Sequence, residues 1–283
     1  MPKRLVIFDL DGTLIDSLED LGAAVNHALS LRGLPLHTRE DYRKMVGHGV
    51  RNLVEKALEA SVGPMVSEGK VAFGGQMTEG VPMMTEGNYF SGRCPKNQFP
   101  SVETRPDNPK NQFPSARTRP DNPKDKFPSA RTDSYVDAAL ADFKEYYSAH
   151  IDVHTRPYPG IPELLADLQA TGVRLAVASN KFQEGTERLM RSLFPDIQFV
   201  AILGNRPGYP LKPAPEIVQE VLRKADIGPS DAVMVGDSPT DMRTAANGGI
   251  EGLAVTWGYR TADELAGHRL VHSVPELRGL LFQ

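Results

Sequence analysis

The placement of the prolines limits this chain's fold more than any other feature. Ten of its 23 prolines lie among the 71 residues 62–132, and the other 13 are spread over 212 residues. Proline fixes φ, removes a backbone donor and interrupts helices and central strands. This stretch therefore cannot frame a core. It also repeats: residues 95–108 (PKNQFPSVETRPDN), 109–122 (PKNQFPSARTRPDN) and the truncated copy 123–132 (PKDKFPSART) follow one another every 14 residues. Ahead of them, Met77-Thr78-Glu79-Gly80 recurs as Met84-Thr85-Glu86-Gly87. Each copy has one large apolar side chain (Phe99, Phe113 or Phe127) among prolines and polar groups. That is too little burial to offset the entropy of ordering. Residues 62–132 read as a low-complexity insertion, extended and polyproline-II-like in places. A partner-binding segment built on the repeated Phe-Pro-Ser is its functional alternative.

The core must come from the two flanks, where short apolar runs alternate with helical patterns. Residues 5–8 are a buried strand closed by the turn Asp9-Leu10-Asp11-Gly12-Thr13. Residues 17–32 place Leu18, Leu21, Val25, Ala28 and Leu29 on one helical face, and 39–46, 50–60 and 133–149 are further helices. Without the insertion, 14–155 is expected to be all-helical. Beyond it, a helix over 161–171 carries Ile161, Leu164, Leu165 and Leu168. Strands at 173–178, 199–203, 232–235 and 253–256 then alternate with helices at 183–193, 213–225 and 240–247. Strands apolar on both faces and separated by helices imply a parallel sheet covered on both sides, with right-handed crossovers. The expected class is α/β: a doubly wound, Rossmann-like parallel sheet core from 1–13 and 156–283, and an inserted α-helical cap subdomain at 14–155 carrying the low-complexity insertion.

Charge narrows the function. The 32 basic and 36 acidic residues give −4 overall, but the insertion holds 10 basic and 7 acidic residues (+3), leaving −7 for the rest. That balance is not a nucleic-acid footprint. The single cysteine, Cys94, lies in the insertion, so neither a disulfide framework nor a cysteine metal cluster is expected. The N-terminal apolar run stops after four residues at Asp9, short of a signal peptide, and no segment is long enough to span a membrane. A cytoplasmic protein without membrane partners is expected.

Ligands of an open parallel sheet bind beyond the carboxyl ends of its strands. The residues expected there are Asp9 and Asp11, then Ser179, Asn180 and Lys181, then Asp237 and Asp241, with Lys212 ahead of the 213–225 helix. Carboxylates converging at one edge repel one another, and a divalent cation relieves the repulsion. An oxygen-only ligand set favours a hard ion such as Mg2+. A lysine with hydroxyl and amide donors suits a phosphoryl group. Two aspartates two residues apart can divide the work of nucleophile and acid/base. His150 and His154, four apart, lack a third ligand for zinc.

Four segments resemble the ordered motifs of the haloacid dehalogenase-like hydrolases: Phe8-Asp9-Leu10-Asp11-Gly12-Thr13-Leu14, Ala178-Ser179-Asn180, Lys212-Pro213-Ala214-Pro215, and Val235-Gly236-Asp237-Ser238-Pro239-Thr240-Asp241. The resemblance implies that Asp9 attacks phosphorus and that Asp11 protonates the leaving oxygen and then activates water. It implies Mg2+ held by Asp9, Asp237 and the backbone carbonyl of Asp11, with Asp241 supporting the metal or Lys212. Thr13, Ser179, Asn180 and Lys212 would serve the phosphoryl group. Asp11 argues for phosphate chemistry, because superfamily dehalogenases lack that second aspartate. The stretches 16–21 and 45–51 are similar to the phosphoglycolate phosphatase branch, which implies that 47–51 faces the substrate and that Arg51 meets its carboxylate. The expected substrate is a small phosphorylated metabolite. A β-phosphoglucomutase-like mutase, another small-metabolite phosphatase, and a catalytically impaired protein with a partner-binding insertion remain the alternatives.

Overall fold

The structure, a computed structural model, describes residues 3–62 and 133–283. The proline-rich repeats, the Phe-Pro-Ser segment and Cys94 lie outside the described residues. In chain order the elements are β1 (Leu5–Phe8), β2 (Ile15–Asp16), α1 (Leu18–Ser30), α2 (Arg39–Met45), α3 (Val50–Val62), α4 (Asp133–His150), β3 (Arg156–Pro157), α5 (Ile161–Ala170), β4 (Arg174–Phe182), α6 (Gln183–Leu193), β5 (Phe199–Asn205), α7 (Glu216–Ala225), β6 (Ala232–Gly236), α8 (Pro239–Asn247), β7 (Glu251–Val255), β8 (Leu270–Val271) and α9 (Val274–Leu281).

Six strands form one sheet in the order β5-β4-β1-β6-β7-β8, and every neighbouring pair is parallel. The period-2 alternation of a strand decides which helices cover which face. Leu5 and Ile7 of β1 join Ala176, Ala178 and Met234 beneath Ile217, Val218 and Val221 of α7. Val6 and Phe8 join Val177 and Val235 beneath Leu164 and Leu168 of α5, Leu189 of α6 and Leu277 of α9. With both faces covered, the strands are apolar throughout, as their sequences suggested. The fold is a Rossmann-like α/β sandwich.

Helices α1 to α4 pack on one another above the carboxyl end of β1. Their shared interior includes Val25, Leu29, Tyr42, Val54, Leu58, Val136 and Phe143. A two-stranded antiparallel ribbon, Ile15 opposite Pro157 and Asp16 opposite Arg156, joins the chain entering these helices to the chain leaving them. This corrects the all-helical reading of 14–155. Two residues carry no legible periodicity, so the ribbon has no signal of its own. Beside it, the buried Asp20 of α1 accepts from the backbone N–H groups of His154 and Thr155 (3.0 and 2.8 Å) and from Thr155 Oγ1 (2.7 Å).

Three further differences are local. β4 continues to Phe182, so Ser179, Asn180 and Lys181 lie within the strand rather than after it. Helix α7 begins at Glu216, after the Lys212-Pro213 segment. β8 and α9 were not expected, because Leu270-Val271 is too short to read as a strand and α9 spans only eight residues. Among the described residues no helix is long and apolar enough to cross a membrane.

Truncating Asp20 would leave the buried N–H and hydroxyl of Thr155, and the partly buried N–H of His154, without an acceptor. Asp20→Ala should therefore lower unfolding free energy by about 3 kcal/mol, read from urea denaturation. A change below about 0.5 kcal/mol would show that the ribbon is not anchored there.

Candidate active site

The chain leaves β1 to form β4 on one side and later β6 on the other, so the carboxyl ends of these strands diverge around β1 and open a crevice. Asp9 is the first residue past β1, and its N–H donates to the carbonyl of Val235 on β6 (2.9 Å). Gly12 has φ +87°, which turns the chain back sharply, and a Cβ there would lie 2.4 Å from Asp237 Oδ2. Only glycine satisfies both demands. Gly258, after β7, meets the close-approach demand alone: a Cβ there would lie 2.3 Å from the Asp237 Cβ. Tyr259 N–H then donates to Asp237 Oδ2 (2.7 Å).

Lys212 organises the floor of the crevice. Its Nζ donates to the Ala178 carbonyl (2.9 Å) and lies 2.8 Å from Asp9 Oδ1 and 2.7 Å from Asp241 Oδ1. The lysine side chain is 2% exposed and the Asp241 side chain fully buried. Asp241 also closes a capping box on α8, its Oδ2 accepting from Ser238 N–H (3.0 Å) and Ser238 Oγ (2.6 Å). Both of its oxygens are thus engaged, one fixing the helix start and the other the lysine. Burial works against the Lys212 charge, yet Asp241 and Asp9 together hold its pKa above the ordinary lysine value.

One ammonium does not neutralise three acids. Burial first, and then Asp241, raise the Asp9 pKa to about 7 against the pull of Lys212. Burial, then Asp241 and Asp9, hold Asp237 well above the usual carboxylate range, opposed by the Tyr259 N–H. Ligand oxygens of Asp9, Asp237 and Asp241 lie within 4.8 Å of one another. A buried all-oxygen set with unbalanced negative charge fits a hard divalent cation. Asp9 and Asp237 are the members with carboxylate oxygens to offer, since Asp241 is committed to Ser238 and Lys212.

Asp11 is held differently. Ser17 Oγ donates to its Oδ1 (2.5 Å), and Lys181 Nζ donates to both oxygens (3.1 and 3.3 Å). Ser17 sits at the N-cap of α1, but its hydroxyl caps nothing; the bond to Asp11 replaces the usual capping bond. Lys181 also donates to Tyr147 Oη of α4 (2.7 Å) and lies 4.7 Å from the centroid of that ring. Burial first, and then Asp11, keep the Tyr147 pKa well above its ordinary value, so the ring stays neutral. A helical-subdomain residue is thereby tied to the turn after β1.

The cavity above these groups holds about 610 Å³ of empty space, counting the part open to solvent. Its floor is Asp9, Asp11, Ser179, Lys181, Lys212 and Asp237; its roof is Leu21, Val46, Gly47, Gly49, Val50 and Leu53, with Arg260 at the seam. Of the expected site residues, the structure brings together Asp9, Asp11, Ser179, Asn180, Lys212 and Asp237 around it, with Asp241 directly beneath. The Asn180 side chain is engaged by backbone. Its amide donates to the carbonyls of Lys212 (3.2 Å) and Gly47 (3.3 Å) and its Oδ1 accepts from Lys212 N–H (2.8 Å), so it positions backbone.

Two expected residues are not among those lining the cavity. Thr13 is fully buried beside the turn, with no hydrogen-bond partner for its Oγ1. Arg51 lies on the exposed side of α3, paired with Asp137 of α4 and with Glu55 one turn on. Nearby acids on the helical surface captured a guanidinium that the sequence placed over the substrate. Sequence reasoning gave no role to Lys181, whose signal was a third consecutive polar residue closing an apolar strand, or to Tyr259 and Arg260, which follow Trp257-Gly258 with no local periodicity to mark them.

Comparison with known proteins agrees with this geometry. The sequence profile of the haloacid dehalogenase-like hydrolases matches residues 6–68 and 120–255. Phosphoglycolate phosphatase 1 of Pseudomonas aeruginosa is 30% identical over 280 residues, covering 98% of this chain and 78% of that protein. Phosphoglycolate phosphatase of Mesorhizobium japonicum is 28% identical over 259 residues, covering 92% and 85%. A crystal structure of a protein from Lactobacillus delbrueckii subsp. bulgaricus superposes with a TM-score of 0.73 at 29% identity, covering 99% of each chain. The chain belongs to the haloacid dehalogenase-like hydrolase family, in its phosphoglycolate phosphatase-like branch, and is a phosphatase.

Proposed function

We propose that the chain is a Mg2+-dependent phosphomonoester hydrolase that works through an aspartyl-phosphate on Asp9, with 2-phosphoglycolate as the substrate that fits best. The observation behind this reading is the pairing of a buried Asp9, bonded by Lys212, with Asp11 two residues on and held separately by Ser17 and Lys181. The names of the similar phosphatases in Pseudomonas and Mesorhizobium support the substrate.

The side chains divide the work as follows. Lys212 Nζ and Leu10 N–H (2.7 Å) both fall on Asp9 Oδ1 and fix the carboxylate in place. As Asp9 bonds to phosphorus, the ester P–O bond breaks and Asp11 gives its proton to the departing oxygen. Asp11 then takes a proton from the water that attacks the phosphorus, freeing inorganic phosphate and regenerating Asp9. Ser179, whose Oγ accepts from Lys181 N–H (3.2 Å), keeps its own O–H to donate to a phosphoryl oxygen. Asp9 and Asp237, with the Asp11 carbonyl, would hold Mg2+, which when bound supplies positive charge against the phosphoryl oxygens and the clustered acids. The helical roof keeps bulk water from the acyl phosphate.

Asp9→Asn should lower kcat roughly 10³-fold or more while circular dichroism stays that of the folded protein; retained turnover would remove Asp9 as nucleophile. Product analysis should give inorganic phosphate; an isomerised phosphate ester would instead favour the mutase. A chelator should abolish activity and Mg2+ restore it. Independently of activity, Mg2+ at a hundred times its Kd should stabilise the protein by about 2.7 kcal/mol, seen as a raised Tm that Asp237→Asn loses. An equal rise in that variant would place the ion elsewhere.

A further inference from the structure

We propose that the Arg260 guanidinium is a second anion subsite of this cavity, which selects phosphomonoesters that also carry a carboxylate. The inference rests on the reading that the phosphoryl group docks at Asp9.

Three cations line the cavity among the described residues: Lys181, Lys212 and Arg260. The two lysines are already matched by acids, Lys181 by Asp11 and Lys212 by Asp9 and Asp241. Arg260 is not. Its Nη1 donates to the Arg43 carbonyl (2.6 Å) and its Nη2 to the Val46 carbonyl (2.5 Å). These are neutral dipoles at the C-terminal end of α2. The carboxylate paired with it, Glu264, is 4.0 Å from Nε and half exposed, while the arginine side chain is only 11% exposed. A guanidinium has five N–H donors; two carbonyls take one each from Nη1 and Nη2, and Glu264 at 4.0 Å is beyond hydrogen-bond distance, so donors remain for a further acceptor. A cation shielded from water in this way gains most from an anion that enters beside it.

The group is also aimed in advance. The two carbonyls fix the plane of the fork, which lies against Gly47. Gly47 in turn is held through its carbonyl by Asn180. A preset planar fork suits a carboxylate better than a flexible ammonium does. Nearby His48 also feels cations: its pKa is held down by burial first, and then by Lys56, Arg260 and Arg243. The rest of the roof is Leu21, Val46, Val50 and Leu53 with glycine backbone, which offers little to the hydroxyls of a sugar.

The test compares 2-phosphoglycolate with 2-hydroxyethyl phosphate, an ester of similar size with a neutral hydroxymethyl group in place of the carboxylate, in the unaltered enzyme and in Arg260→Gln and Arg260→Lys. The unaltered enzyme should favour the carboxylate by about 10- to 100-fold in kcat/KM. Arg260→Gln should bring the ratio near one, mainly by raising KM for 2-phosphoglycolate, and Arg260→Lys should fall between. An unchanged ratio in Arg260→Gln, or an equal loss with both esters, would make Arg260 only a strut between the loop and α2 and overturn the subsite. Hydrolysis of both esters without preference by the unaltered enzyme would also overturn it while leaving the phosphatase mechanism in place. Hydrolysis of neither would overturn 2-phosphoglycolate as the substrate and the subsite with it.

Discussion

A buried ammonium between two aspartates is the interaction on which the rest of this site depends. Lys212 Nζ meets Asp9 and Asp241 at 2.8 and 2.7 Å in a place almost closed to water. Removing either sign alone would leave an uncompensated buried charge, a loss of about 3–5 kcal/mol in comparable pairs. The surrounding structure is arranged to keep the pair together. The Ala178 carbonyl at the inner edge of β4 takes a third lysine proton, Asn180 holds the lysine backbone from both sides, and Asp241 is locked by the cap of α8. The same pair also leaves the site short of positive charge. With Asp237 added, three acids face Lys212 and the charge of Arg260, and burial together with their mutual repulsion still raises the Asp9 and Asp237 pKa values.

The floor and the helical roof are joined by polar contacts as well as by apolar packing. Asn180 on β4 reaches the Gly47 carbonyl, Lys181 reaches Tyr147 of α4, and Arg260 reaches the end of α2. Two of these three start from neighbouring residues of one strand, whose polar end continues past the apolar run that covers the sheet. Strand β4 thus serves as framework for four residues and as site for the next three. The roof above Asp11 is set by the same lysine that touches Asp11, so chemistry and closure share a contact.

Much of this was legible in the sequence, for identifiable reasons. The parallel sheet and its covering helices follow from apolar runs such as Leu5–Phe8 and the i, i+3, i+4, i+7 face of α5, which burial enforces. The floor acids were legible because each lies at a strand end or helix start marked by glycine or serine. What was not legible depends on long-range contact. The ribbon of β2 and β3 pairs residues about 140 positions apart in the sequence, with no local pattern. Arg51 and Arg260 have similar local chemistry, and only the fold decides that one meets Asp137 on the surface while the other turns into the cavity. Thr13 follows the same rule, being drawn into the turn rather than toward a ligand.

The central claim is that the Asp9 carboxylate becomes covalently phosphorylated during turnover. An acyl phosphate is reduced by borohydride, and an unmodified carboxylate is not. Quenching the enzyme with borohydride during turnover of 2-phosphoglycolate, followed by peptide mass spectrometry, should show homoserine in place of aspartate at position 9, only when substrate and Mg2+ are both present. Substrate turnover with Asp9 unmodified, or reduction at Asp11 or Asp237 instead, would contradict the account.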